Sequence, residues 1–257
     1  MRIEIHDKKK CDLFMTIFSH IKSFNETINI VVDTDKLFIQ GMDNSHVSVF
    51  EVNLCSEWFD VYEQSNNCEQ FGINLTILNK ILKTMSEKHK IVLFSNDSED
   101  DKLNVEFITE EKGEFNKYFQ LPLMDIEVDS LQLHDIEYTV DIIINSKKLK
   151  TSIDELTNFD DTIKISCKDE CVDLLCNSNE GSMKITFTSD DIEELGIIEN
   201  ESIECSFAIK YLSLMTNFYK LSDHCMINIS ENIPMQFKYN ITETSFLRFF
   251  LAPKIDD

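Results

Sequence analysis

The chain carries one stretch of sequence twice, about 135 residues apart. Phe24-Asn25-Glu26-Thr27-Ile28-Asn29-Ile30 is echoed by Phe159-Asp160-Asp161-Thr162-Ile163-Lys164-Ile165. Upstream, Phe14, Phe18 and Ile21 stand at the same offset from Leu149, Ile153 and Leu156; downstream, Lys36-Leu37-Phe38-Ile39 stands against Cys171-Val172-Asp173-Leu174. A fixed-offset repeat constrains the fold before any local propensity does. The period is far longer than a solenoid unit and has the size of a whole domain. The expectation is two similar domains in tandem, which the 257 residues accommodate.

Composition excludes several classes. At 42% hydrophobic and 28% charged residues the chain reads as ordinary globular protein. No apolar run approaches the ~20 residues of a membrane helix, and Met1-Arg2-Ile3-Glu4-Ile5-His6-Asp7 has no signal-peptide core. Eight cysteines form no CxxC pair, which fits reduced thiols in a cytosolic or nuclear compartment. No HExxH motif or Cys/His cluster suggests a metal, and no Walker A loop or GxGxxG suggests a nucleotide. Glycine is scarce, 5 in the chain. The net charge of −23, taken alone, argues against nucleic acid.

Four segments have helical apolar spacing: Phe14, Ile17, Phe18, Ile21 and Phe24; Leu75, Leu78, Ile81, Leu82 and Met85; Leu149, Ile153, Leu156 and Phe159; Phe207, Tyr211, Leu212, Met215 and Phe218. Between them lie short β-branched or alternating runs at 28–32, 36–40, 47–54, 90–94, 103–108, 162–167, 172–176, 184–188, 226–230 and 235–239. Each half thus has two helices and many strands, an α+β layout with antiparallel sheets. The domains are expected at 1–120 and 138–257. An extended connector at 121–137, too apolar for a solvated linker, lies between them.

The acids are not evenly spread. In a chain with 47 of them, windows 14–24, 73–85 and 206–221 contain none, yet hold Lys22, Lys80, Lys83, Lys210 and Lys220. The third helix is a partial exception: Lys147-Lys148-Leu149-Lys150 is followed by Asp154 and Glu155. Acid-free, lysine-bearing faces suit sequence-independent phosphate contacts. Aromatics sit on the apolar side of these helices, so duplex backbone fits better than a stacked single strand.

Here the residues resemble a known family. Gly41-Met42-Asp43-Asn44-Ser45-His46-Val47-Ser48, Ser56-Glu57-Trp58-Phe59-Asp60, Gly72-Ile73-Asn74-Leu75-Thr76 with Asn79-Lys80-Ile81-Leu82-Lys83, and Leu251-Ala252-Pro253-Lys254-Ile255-Asp256-Asp257 are together similar to proliferating cell nuclear antigen, the eukaryotic-type DNA sliding clamp. The resemblance spans nearly the whole chain. It implies a DNA clamp fold, with helices lining the inside and antiparallel sheets the outside of a trimeric ring around double-stranded DNA. Lys22, Lys80, Lys83 and Lys210 match the family's basic inner positions. Lys150 and Lys220 lie near such positions but are displaced in register, and Thr151, Asp154 and Asn217 replace basic residues.

The resemblance also implies a front-face pocket for partner peptides with a glutamine, an aliphatic residue and two aromatics. Its residues here are Met42, His46, Val47, Leu131, Leu133, Pro234, Phe250, Leu251, Ala252 and Pro253. Implied subunit contacts pair 114–120 of one chain with 181–188 of the next. The implied function is a polymerase processivity factor with no catalytic residue, cofactor or metal of its own. Its partners would be DNA polymerase, other motif-bearing proteins, an ATP-using clamp loader and further copies of itself, with no membrane. The implied location is the nucleus or, for a viral protein, the host nucleus or a cytoplasmic replication site. Two alternatives stand beside it: a subunit of a heterotrimeric, checkpoint-like clamp, and a DNA-processing enzyme, which would need carboxylates on the basic face.

Overall fold

A computed structural model of the chain describes residues 1–64, 69–95, 101–126, 131–133, 136–168, 171–179, 181–198 and 202–255. Two compact units emerge, and each borrows a short segment from the other's half of the sequence. Unit 1 comprises Met1–Met42, Glu51–Leu131 and Thr242–Phe246; unit 2 comprises Asp43–Phe50, Gln132–Ile241 and Leu247–Asp257.

Unit 1 runs β1 (Arg2–Ile5), α1 (Lys8–Ile21), β2 (Thr27–Val32), β3 (Lys36–Met42), β4 (Ser48–Cys55, whose residues 48–50 belong to unit 2), a 3₁₀ turn (Ser56–Trp58), β5 (Val61–Glu63), β6 (Glu69–Asn74), α2 (Leu75–Leu82), β7 (Lys90–Phe94), β8 (Lys102–Ile108) and β9 (Lys117–Pro122). Its strands order as β5-β1-β7-β8-β9 and β4-β3-β2-β6, with antiparallel registers such as Ile3↔Leu93 and Ile30↔Phe71.

Unit 2 runs β10 (Val140–Asn145), α3 (Ser146–Leu156), β11 (Thr162–Lys168), β12 (Cys171–Ser178), β13 (Gly181–Phe187), β14 (Ile192–Ile197), β15 (Ile203–Ala208), α4 (Ile209–Thr216), β16 (His224–Ile229), β17 (Met235–Asn240) and β18 (Phe246–Leu251). Its orders are β14-β10-β16-β17-β18 and β13-β12-β11-β15. Adding nine to every strand number of unit 1 reproduces them, so the repeat in the sequence is a repeat of topology. The offset drifts, however: β1 begins 138 residues before β10, β2 135 before β11, α2 134 before α4, and β9 129 before β18. Loop-length differences absorb the drift.

The helices form where a cap meets an apolar stripe. Asp7, Asn74 and Asn145 each accept a backbone N–H in the first turn of α1, α2 and α3, from Lys10, Ile77 and Lys148 at 2.9, 3.1 and 3.0 Å. α1 buries Cys11, Phe14, Ile17, Phe18 and Ile21; α3 buries Ser146, Leu149, Ile153 and Leu156, four of the same positions one repeat on. Within unit 1 the buried Asn79 amide of α2 donates to the Phe18 carbonyl of α1 at 3.0 Å, tying the two helices side by side. α3 and α4 lie beside each other in unit 2.

Several sequence expectations need correction. α1 starts at Lys8, well before its apolar stripe, because Asp7 and not Phe14 sets the start. Phe159 is 38% exposed and lies beyond α3, whereas its repeat mate Phe24 is 3% exposed. Phe24, Met85 and Phe218 also lie past the ends of their helices. Strands β1, β5, β6, β10, β14, β15 and β18 were not expected from the sequence.

The segment after β9 is extended and bonded to unit 1. Gly72 exchanges two backbone hydrogen bonds with Met124, at 3.1 and 2.9 Å, and Asn29 donates to the Ile126 carbonyl at 2.9 Å. A Cβ on Gly72 would stand 2.5 Å from both the Met124 carbonyl oxygen and Ile126 Cδ1. Gly72→Ala is therefore expected to push this segment off β6 and destabilise the protein by about 1–3 kcal/mol, read as a lower denaturation midpoint. Residues 127–130 and 134–135 of the expected connector lie outside the described residues.

Candidate nucleic-acid interface and partner cleft

The four helices with their C-cap residues hold ten lysines: Lys8, Lys9, Lys10, Lys22, Lys80, Lys83, Lys147, Lys148, Lys150 and Lys210. They hold only three acids, Asp12, Asp154 and Glu155. In a chain of net charge −23 the helices are thus net positive. The cluster Lys8–Lys10, together with Asp12, escaped the sequence reading because the first turn of α1 has no apolar periodicity.

None of the four helices carries an acid in its first turn; α1 opens on Lys8–Lys10, and in α3 Lys147 and Lys148 follow Ser146. Apart from the Asp7 cap of α1, this opposes the helix macrodipole, which favours anions at the N-terminus, and it concentrates positive potential there. Replacing the exposed Lys9 by glutamate is accordingly expected to raise stability by about 0.3–1 kcal/mol while weakening duplex binding. Thermal melting and DNA titration of the same variant check both signs.

Among the described residues, Lys22, Lys80, Lys83, Lys210 and Lys220 form no ion pair. Lys8, Lys10, Lys148 and Lys150 are matched with Glu87, Asp60, Asp191 and Asp154. Lys22 and Lys83 are the C-caps of α1 and α2. Lys210 lies 4.8 Å from the Tyr211 ring centroid, and Lys220 lies 6.0 Å from that of Tyr219. Lys150 is therefore the one sequence-marked lysine already engaged by an intrahelical i,i+4 partner.

Unit 2 also contains an open apolar cleft of about 460 Å³, lined by His46, Val47, Val49, Gln132, Leu133, Ile136, Pro234, Phe250 and Ala252. Its size and lining suit a short apolar segment. The described part of the chain shows no grouping of three His, Cys, Asp or Glu fit for a metal, and no helix is long and apolar enough to cross a membrane.

Two family models match the chain: the N-terminal domain of proliferating cell nuclear antigen over residues 5–132 and its C-terminal domain over residues 132–254. The chain belongs to the proliferating cell nuclear antigen family. Among its relatives, proliferating cell nuclear antigen 1 of Plasmodium falciparum is 32% identical, covering 94% of this chain and 93% of its own length. Proliferating cell nuclear antigen 2 of the same organism is 30% identical, over 95% and 96%. The tandem α+β architecture with antiparallel sheets is that of the DNA clamp fold, and the chain is a sliding clamp of the processivity-factor type.

Of the residues that the family resemblance marked for a partner pocket, the structure gathers His46, Val47, Leu133, Pro234, Phe250 and Ala252. It adds Val49, Gln132 and Ile136, which alternation along β4 and the apolar connector could have flagged. Leu251 is fully buried, and Pro253 lines a separate cleft with Ser206, Asn232 and Ile255. Met42 and Leu131 belong to unit 1, where the Leu131 backbone bonds both ends of the Gln40 amide.

The loop presenting His46 and Val47 is built around one carboxylate. Asp43 accepts backbone N–H groups from Ser45, Val47 and Ser48 at 2.8, 2.8 and 2.6 Å, and the Tyr211 hydroxyl at 2.7 Å. The two side chains belong to residues only 7% and 4% exposed. This bonding holds His46 in the left-handed region at φ 57°. Burial pushes the Asp43 carboxyl up, but the donors, led by the Ser48 N–H and the Tyr211 hydroxyl, outweigh it and hold the group below its ordinary 3.8. Burial first, and then the bond to Asp43, raises Tyr211, so the proton stays on the phenol.

A depressed carboxyl contributes stability that is present above its unfolded pKa and lost as pH falls through the folded one. Tyr211→Phe should cost about 1–3 kcal/mol at neutral pH, and less on titration below the ordinary carboxyl range. Denaturation midpoints against pH check both the size and the sign.

Proposed function

We propose that three copies of this chain close into a ring around duplex DNA. In this reading the lysines of the four helices, Lys22, Lys80, Lys83, Lys210 and Lys220 foremost, make loose phosphate contacts inside it. Encirclement prevents loss of the clamp, and nonspecific contacts let it slide. The observation that carries the reading is the reversal of charge on the helices of a strongly acidic chain. The protein performs no chemistry itself; a loader opens the ring with its own ATP. The cleft holds peptide motifs of polymerase and other replication proteins, and the protein works in the nucleus, or at a cytoplasmic replication site if viral.

Strand order supports closure. Inside unit 2, β18 runs beside residues 48–50 of β4, and the Ala252 N–H bonds the Val47 carbonyl at 3.0 Å. The repeat mates of β18 and β4 are β9 and β13. Among the described residues those two end their sheets, β9 paired with β8 and β13 with β12. An open edge is a liability that a second chain removes. The pairing made once within the chain can be made again between chains, head to tail, until the ring closes.

The deciding experiment loads the protein onto nicked circular DNA with a clamp loader and then linearises the circle. Retention before the cut and loss after it support encirclement. Equal loss from both forms, with a solution mass of one 30.0 kDa chain at every concentration, would overturn it. A trimer mass obtained only with non-identical partner chains would indicate the heteromeric form.

A further inference from the structure

His89, in the turn between α2 and β7, is buried and ties a loop to the body of unit 1. The Ser86 N–H can only donate, so ring Nδ1 accepts it, at 3.0 Å, with the Ser86 hydroxyl 2.8 Å away. That fixes the ring proton on Nε2, which donates to the Phe115 carbonyl at 2.9 Å. The His89 ring stands 6.0 Å from that of Phe107, itself 5.5 Å from Phe119 of β9. A second bond spans the same gap: the Lys117 ammonium donates to the Thr84 carbonyl, in the turn that holds His89. The loop so fastened is 109–116, between β8 and β9. Its Phe115 backbone is pinned to a buried ring, while the Phe115 side chain stands in solvent. A large apolar side chain held out on a fixed backbone is a contact in waiting.

The internal repeat indicates what meets it. Thr244 and Ser245, just ahead of β18, fasten to Asn53 and Cys55 at the end of β4. β9 and β18 begin 129 residues apart, and β4 and β13 begin 133 apart. The mates of Thr244 and Ser245 are therefore Phe115 and Asn116, and those of Asn53 and Cys55 are Thr186 and Thr188. Among the described residues β9 and β13 lie in different sheets, so the same fastening calls for the β13 of a second copy. We infer that the loop carrying Phe115 docks on the end of β13 of the next copy, and that His89 is the positioning residue that holds it ready. The inference rests on the ring proposed above. A loop already held in its docked conformation loses little freedom on association, and that preorganisation appears as affinity. Without the bond to His89 the same apolar surface must be ordered at every contact, and association weakens.

The test uses the full-length protein and its monomer–trimer equilibrium, read by sedimentation over a dilution series. His89→Asn supplies an amide that can meet Ser86 but is too short to reach Phe115; His89→Gln is long enough to bridge both. His89→Asn is expected to weaken association about tenfold per contact, and His89→Gln to restore most of it. Each variant is compared at a temperature where circular dichroism shows it folded. In a Phe115→Ala background His89→Asn should change association by less than about twofold, because positioning matters only while the positioned ring is present. Separately, the pair Asn116→Cys and Thr188→Cys, in a chain that keeps His89, should cross-link one copy to the next under mild oxidation, seen on a denaturing gel.

Unchanged association of folded His89→Asn protein overturns the inference while the ring stands. An equally large effect in the Phe115→Ala background overturns it too, since His89 would then act through the stability of unit 1 and not through the loop. A trimer that yields no cross-link places the loop elsewhere and overturns the docking, and this arm decides even if His89→Asn does not fold. If the unmodified protein forms no trimer at any concentration, the ring reading fails and takes the inference with it.

Discussion

Replacing Phe115 and Tyr118 together by aspartate is expected to turn the proposed trimer into single chains of 30.0 kDa. Tyr118 is on the edge strand β9 and Phe115 just ahead of it, and they are 65% and 81% exposed. Exposed aromatics of this size beside an unpaired strand are what an intersubunit contact would bury. Losing the burial of both weakens each contact by about 3–6 kcal/mol, or roughly 10²–10⁴ in its association constant. The lone chain loses almost nothing, because neither side chain packs in its core. The Phe115 carbonyl, bonded to the His89 ring at 2.9 Å, is untouched by the substitution. Light-scattering mass against concentration reads the first effect and thermal melting the second. A trimer mass surviving the double substitution would place the contact elsewhere on the chain.

The second large effect concerns DNA. Substituting alanine for Lys22, Lys80, Lys83 and Lys210 together should reduce duplex affinity at low salt by at least 10²-fold, equally for every sequence. Each phosphate contact contributes about 0.9 to the slope of log affinity against log salt. Four lost contacts should therefore flatten the slope by between three and four. Peptide binding and trimer mass should be unchanged. Lys150→Ala alone should do far less, because Asp154 already neutralises that ammonium. A salt series with two unrelated duplexes checks all of this, and an unchanged slope would remove these lysines from the interface.

How much of this could be read in the residues differs by element. The duplication was legible because buried positions 14, 18 and 21 recur as 149, 153 and 156, and core packing keeps those offsets fixed within a helix. The ends of the repeat were less so, since loops of different length move β9 and β18 to an offset of 129. Strands β1 and β5 are four and three residues long, too short for alternation to declare itself. β18, Phe-Leu-Arg-Phe-Phe-Leu, breaks alternation at Phe250, which serves the cleft.

At the site, the acid-free helix faces were visible in the sequence, but the first turn of α1 was not. A cap and three lysines carry no hydrophobic period. Asp43 is the opposite case: the sequence presents it as part of a motif, and only its four hydrogen bonds reveal that it builds the loop.

The short segment that unit 1 takes from the far end of the chain bears on synthesis. The last turn of β4 is fastened by the Thr244 carbonyl, which accepts from the Asn53 amide at 2.9 Å, and by Ser245, whose hydroxyl accepts from the Cys55 N–H at 3.0 Å. Tandem domains usually fold in the order in which the ribosome releases them. Here the first half cannot fasten until residues 242–246 have emerged, more than a hundred residues after the rest of unit 1. A nascent chain stalled midway therefore holds a first unit without this fastening, its β4 end unbonded and open to chaperones.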